Sequence, residues 1–196
     1  MVIQTNFNQN LYSIMKNFKL LTGVAFAFIT LLSFNAEAQK FRPLDKSPMD
    51  AAAFPADYKI ADKAIKIVYS RPQLKGRSLD KLAPKGKVWR LGANEAAELH
   101  VYTDMMLGDN KISKGVYTVY AIPGDKEWTV IISNQLNVWG SYFYKEDQDA
   151  ARISVPVDMS DDSLEAFSIA FEGVDNGVHM HMGWGNVRVA IPFSKK

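Results

Sequence analysis

The sequence predicts an all-β fold: a single antiparallel β-sandwich, jelly-roll-like or immunoglobulin-like, of about nine or ten strands. Two observations predict it. Short runs of alternating apolar and polar residues follow one another at close spacing, divided by Gly-, Pro-, Asn- and Asp-rich turns. Beyond the N-terminal region, no segment sustains a helical period for more than one turn.

The N-terminal region has the pattern of an export signal. Met15, Lys16 and Lys19 begin a charged stretch, an apolar run extends from Leu20 to Phe34, and Ala36-Glu37-Ala38 is a small-x-small cleavage site. Residues 1–14 are expected to be an upstream extension from a misplaced start, and 15–38 a cleaved signal peptide. The apolar run is shorter than the roughly 20 residues that span a bilayer, so no membrane span is expected after cleavage. The expected location is the periplasm or the cell exterior. With no cysteine in the chain, lipid attachment at the junction, disulfides and thiolate chemistry are all excluded. Stability must come from the core, and a chain of this size buries about 70% of its unfolded surface.

Residues 39–62 are a lead-in rich in Pro, Asp and Lys. Within it, Ser47 and Pro48 suggest one short helical turn over 46–53. The sandwich domain is expected over 63–196. Strands are predicted at 64–70, 88–91, 98–103, 116–122, 128–133, 152–157, 165–172, 178–184 and 187–193. Alternation puts Ile65, Ile67 and Tyr69 on one face, and likewise Leu99 with Val101, Trp128 with Val130 and Ile132, and Phe167 with Ile169 and Phe171. Residues 116–122 carry large groups on both faces and suit a central strand. Gly108-Asp109 and Pro123-Gly124-Asp125 are hairpin material. A turn at Gly185-Asn186 would bring Met180, Met182, Trp184, Val187, Val189 and Ile191 onto one apolar face, with His179, His181 and Arg188 on the other.

Charge is concentrated in one place. Loss of Lys16, Lys19 and Glu37 with the signal takes the totals from 23 basic and 21 acidic residues to 21 and 20. Between Tyr69 and Glu95, however, seven basic side chains face two acidic ones, a local excess of +5. Export and near-neutrality argue against a nucleic-acid partner. A small anionic or polyhydroxylated, saccharide-like ligand suits a local basic patch better.

The candidate ligand-binding residues are Arg71, Lys75, Arg77, Trp89, Arg90, Asn94 and Glu95, with Trp139 and Tyr142 as a stacking wall. Arginine offers planar paired donors, and asparagine both a donor and an acceptor. The alternative is structural: Arg71 or Arg90 pairs Glu95 and pins loops over the sandwich end. The 139–144 rings likewise either stack on a ligand or fold back onto the core. Glu95 is the candidate acid or base for a hydrolase or lyase acting on an envelope saccharide, with Glu98 or Asp104 as partner. His179 and His181 point the same way along a strand and are candidate copper or zinc ligands, with His100 or Glu98 as a third. Arg188 on that face opposes a cation, so no metal and no cofactor is expected. No standard nucleophile, phosphate or dinucleotide motif occurs. An interaction subunit of an envelope complex, docking through edge strands, is a third reading.

Several segments together resemble a known family. They are Asp45-Lys46-Ser47-Pro48-Met49-Asp50, Tyr69-Ser70-Arg71-Pro72 and Trp89-Arg90-Leu91-Gly92-Ala93-Asn94-Glu95. With Lys114-Gly115-Val116-Tyr117-Thr118, Ile122-Pro123-Gly124 and Trp139-Gly140 they make the chain similar to the secreted bacterial family called domain of unknown function 2911. The resemblance implies the fold and export, and implies no reaction.

Overall fold

The computed structural model describes residues 11–19 and 40–195. Its contacts divide the chain into Met1–Pro43 and Leu44–Lys196. In the first unit, residues 11–19 are helical and exposed. The proposed apolar run and cleavage site lie outside the described residues. Among the described residues, no helix is long and apolar enough to cross a membrane.

The second unit is an antiparallel β domain. Its strands are β1 (Met49–Phe54), β2 (Ile65–Ser70), β3 (Ala97–Val101), β4 (Met105–Leu107), β5 (Asn110–Ile112), β6 (Gly115–Ile122), β7 (Glu127–Ser133), β8 (Asp149–Val174) and β9 (Gly177–Lys195). One short helix, α1 (Leu79–Leu82), interrupts them. Hydrogen bonding runs in the order β1-β2-β3-β6-β7-β8-β9-β4-β5.

Strand β8 makes this one sheet into two layers. Its first part pairs with β7 as far as Glu127↔Pro156, and its second part pairs with β9 from Val157↔Val189 onward. The layers then face each other. The Tyr69 hydroxyl on β2 accepts a hydrogen bond from the Ile169 amide of β8 at 2.9 Å. Ile65, Ile67, Leu99, Val119, Val130 and Ile132 from one layer, and Phe167, Met180, Met182, Trp184, Ile191 and Phe193 from the other, are buried in a single cluster. Burial of such side chains at about 1.5–3 kcal/mol each drives the fold without disulfides.

The predicted central strand is β6, which lies between β3 and β7. Its outward Tyr120 is fully buried, because Tyr144 packs edge-on against it at 5.2 Å. The Gly108-Asp109 turn joins β4 and β5, closed by Leu107↔Asn110.

Four local expectations are corrected. Residues 49–54 form an edge strand on β2, not a helical turn. The Ser47 amide instead donates to Asp45 Oδ1 at 2.7 Å, an Asx turn that leads into the strand. Residues 88–91 form no strand; Trp89 makes a lone bridge to Ala121. Residues 152–157 and 165–172 are parts of the single strand β8, and 178–184 and 187–193 are parts of β9. The hairpin turn is at Asp175-Asn176, closed by Val174↔Gly177.

Gly185-Asn186 is therefore a break in the ladder rather than a turn. Pairing moves from Leu164↔Gly185 to Met159↔Val187, and Gly185 has φ +56. This irregularity switches parity, so Met180, Met182 and Trp184 before it and Val189, Ile191 and Phe193 after it are all buried. The common apolar face is real, but a glycine bulge in a continuous strand produces it.

Two glycine substitutions test this account. A Cβ at Gly185 would meet only Leu74 Cδ1, at 3.8 Å, so Gly185→Ala is expected to cost only backbone strain, about 1–2 kcal/mol. A Cβ at Gly177 would run into the Phe193 carbonyl. Chemical denaturation should show Gly177→Ala as the more destabilised of the two.

Candidate functional site

The basic stretch from Tyr69 to Glu95 divides into two parts with different surroundings. In the first part Arg71, Arg77 and Lys85 are engaged within the protein. Arg71 donates from Nε to the Phe167 carbonyl at 3.1 Å, from NH2 to Ser168 Oγ at 2.8 Å, and from NH1 to Asp50 at 2.9 Å. It thus ties the edge strand β1 to β8. Arg77 donates to the Leu74 and Gln73 carbonyls at 2.9 and 2.7 Å and closes its own turn. The Lys75 amide donates to Glu165 at 2.7 Å, and its side chain is exposed. Lys85 pairs Asp125 at 2.5 Å and Asp80 at 3.7 Å. Arg71 pairs Asp50 rather than Glu95. Arg71 and Arg77 are bound into the protein by partners that sequence spacing could not name.

Trp89 is 5% exposed. Its ring stacks on Trp184 at 5.6 Å and meets Phe167 at 5.1 Å and Trp128 at 6.0 Å. It is a core residue, and no ligand reaches its face.

The second part is a surface loop held by that anchor. Leu91 and Asn94 lie in the left-handed region, at φ 54 and 61, which costs of order 1–3 kcal/mol each. The loop is laced to residues 138–141. The Gly140 amide donates to the Asn94 carbonyl at 2.9 Å, the Ala96 amide to Val138 at 3.1 Å, and Ser141 Oγ to Val88 at 2.8 Å. The first two bonds flank the Glu95↔Trp139 bridge. Glu95 and Trp139 are therefore a non-hydrogen-bonded antiparallel pair, whose Cα atoms approach to about 4.5 Å with side chains on one face.

Around this pair the surface is aromatic and open. Trp139 is 51% exposed, Tyr142 76% and Phe143 71%. Beside it lies a cleft of about 170 Å³ lined by Met49, Val68, Glu95, Ala96, Glu98, Thr118, Asn137 and Val138. Glu98 also meets His100 Nε2 at 2.7 Å. Glu95 and Glu98 thus share one cleft, whereas Asp104 is held elsewhere by Lys111 at 2.7 Å. Arg90 belongs to the same loop and approaches Gly140. Among the described residues its guanidinium has no hydrogen bond or ion pair, and its Nε is buried.

One polar cluster went unseen in the sequence. Tyr144 turns inward, and its hydroxyl donates to Asp149 Oδ2 at 2.7 Å. Arg152 bonds both that carboxylate, at 2.5 Å, and the Tyr144 oxygen. Burial first, and then the Asp149 carboxylate, push the Tyr144 phenol up to about 12. The cluster fastens the 134–148 loop over Tyr120. The aromatic run accordingly divides: Tyr144 folds back, while Trp139, Tyr142 and Phe143 face solvent.

The histidines do not converge. Leu99 and Val101 face the core from β3, as Met180 and Met182 do from β9. His100 and His181 therefore point outward from opposite layers, and His100 cannot complete a site with His179 and His181. His181 pairs Glu172 at 2.9 Å instead. Among the described residues no three side chains group as a metal site. A larger cleft of about 350 Å³ beside His181 is lined by Asp158, Arg188 and largely apolar residues, among them Leu164, Ile169, Met182 and Val189. The Arg188 guanidinium there is taken up by the carbonyls of Gly185, Val187 and Asp162.

The family described as Protein of unknown function (DUF2911) matches residues 47–193. The chain belongs to that family. The match includes both laced loops and all nine strands except the last residues of β9. No curated protein and no solved structure matches.

The Tyr144 cluster predicts an alkaline effect. A phenol with a raised folded pKa keeps its proton where the unfolded chain, near 10, has lost it. The stability it contributes is fully present below about pH 10 and is lost as pH rises toward about 12. Melting curves of Tyr144→Phe should fall less steeply over that window than those of the parent protein.

Proposed function

We propose that this domain is an exported binding module for a saccharide, held at the Glu95–Trp139 surface. The observation that carries the reading is the Glu95↔Trp139 bridge, which sets a half-exposed indole beside a carboxylate that lines a cleft of mixed polar and apolar character. Sugar rings have one apolar face, which suits a flat aromatic side chain, and a rim of hydroxyls, which suits carboxylate and amide acceptors. Glu95, Glu98, Thr118 and Asn137 supply such acceptors around the cleft. Export rests on the charged, apolar and small-x-small pattern of residues 15–38.

A second reading has one observation in its favour. Glu95 and Glu98 line the same cleft, as two carboxylates do in glycoside hydrolysis. Under it, Glu95 is the acid or base of a hydrolase.

Two substitutions separate these readings from a purely structural loop. Trp139→Ala and Glu95→Gln should each weaken oligosaccharide binding roughly tenfold, about 1.4 kcal/mol, in calorimetric titration. Because both residues are solvent-facing, melting temperatures should stay close to that of the parent. Unchanged affinity in both variants would sink the site. Release of reducing ends that stops in Glu95→Gln, with binding retained, would favour the hydrolase.

A further inference from the structure

Arg90 is an unexplained charge at this surface. Arg71, Arg77 and Arg188 all donate to protein groups. Arg90 carries the same five donors and bonds to none of the described residues. Its Nε is buried, and a buried charged donor without a partner is costly. Nor can the side chain readily retreat, since Trp89, the residue before it, is locked in the aromatic core.

The setting of the guanidinium indicates what completes it. Gly140, at φ +68, has no Cβ and so lets the Tyr142 ring and the Arg90 guanidinium pack close to its backbone. A Cβ there would lie 3.3 Å from Arg90 NH1 and 2.7 Å from the Tyr142 ring. The guanidinium and the ring therefore border the same glycine, and that ring is mostly exposed. Trp139, the residue before Gly140, is bridged to Glu95. A group bound to Arg90 along Tyr142 would thus belong to a molecule that also reaches Trp139.

We propose that the ligand is a carboxylated saccharide, of the uronate class, and that Arg90 binds its carboxylate. The proposal rests on the saccharide reading above and adds the charge to it. A carboxylate matches the planar fork of arginine with two parallel hydrogen bonds. The cleft of the saccharide reading already carries the Glu95 and Glu98 carboxylates, so a single negative charge on the ligand suits it better than a phosphate or a sulfated chain.

The matched probes are uronate trimers and their methyl esters, which keep the sugar and remove the charge. Calorimetric titration of the protein should show the trimers binding about tenfold or more tightly than the esters. Added salt should weaken the trimers and leave the esters unchanged. Arg90→Gln should abolish this preference and keep the ester affinity within about twofold of the parent. Arg90→Lys, which keeps the charge without the fork, should restore part of it. Esters that bind as tightly as acids, or a preference that survives Arg90→Gln, overturn the inference and leave the saccharide reading standing. Failure of both acids and esters to bind, together with a panel of neutral oligosaccharides, overturns both. Arg90→Gln should melt at or above the parent temperature; if it fails to fold, the acid–ester and salt comparisons on the parent protein decide.

Discussion

The packing of Trp89 is the interaction on which the rest of the domain depends. Its indole sits among Trp184, Phe167 and Trp128, within 5.1 to 6.0 Å of each. Phe167 and Trp184 come from one layer and Trp128 from the other, so Trp89 is where the two halves of the folded sheet are joined. It belongs to no regular strand and is fixed only by a lone bridge to Ala121 and by burial. Burying so large a ring offsets strain in the left-handed Leu91 and Asn94 that follow it. Because Trp89 faces the core, Arg90 on the other side of the chain faces outward, with Gly140 and Tyr142 as its surroundings.

A second constraint comes from β8. One strand serves two partners in turn, changing from β7 to β9 between Pro156 and Val157, and it then loses register with β9 between Met159 and Ser168. Where β8 leaves β9, residues 165–167 bond instead to Pro72 and Leu74. Arg71 reinforces that junction from its side chain. Part of the basic stretch is therefore a seam between layers, where Arg71 is held by Phe167, Ser168 and Asp50 and Arg77 by the carbonyls of its own turn. The candidate site lies at its far end, where a guanidinium lacks a partner and aromatic rings are exposed.

Much of the fold was legible because alternation reports burial directly. Ile65 with Ile67, Leu99 with Val101, and Val130 with Ile132 all face the core, since a half-buried strand has a period of two. Long-range pairing was not legible. Residues 46–53 hold a plausible helix start, but an open edge of β2 offered them more hydrogen bonds than one isolated turn. Gly185-Asn186 has the composition of a turn, and only the β8 register shows that the strand continues through it. Within the site, Trp139, Tyr142, Arg90, Asn94 and Glu95 stood out by residue type. Glu98 entered only as a weak partner, and Tyr144 with Asp149 and Arg152 did not enter at all, because their association depends on a loop folding back over Tyr120.

By itself the sequence determined the class of this protein: an antiparallel β domain of a recognisable family, without cysteine chemistry, with the core faces of its main strands already written. Those are properties of local period and composition, which a linear chain carries in full. Only the tertiary structure decided which charges are spent and which remain. Arg71 and Arg90 are alike in type and close in sequence, yet one closes a seam and the other lies unpaired beside an open aromatic surface. The difference arises because hydrogen-bond satisfaction depends on which distant backbone groups come within about 3 Å of each side chain, and no spacing along the chain specifies that.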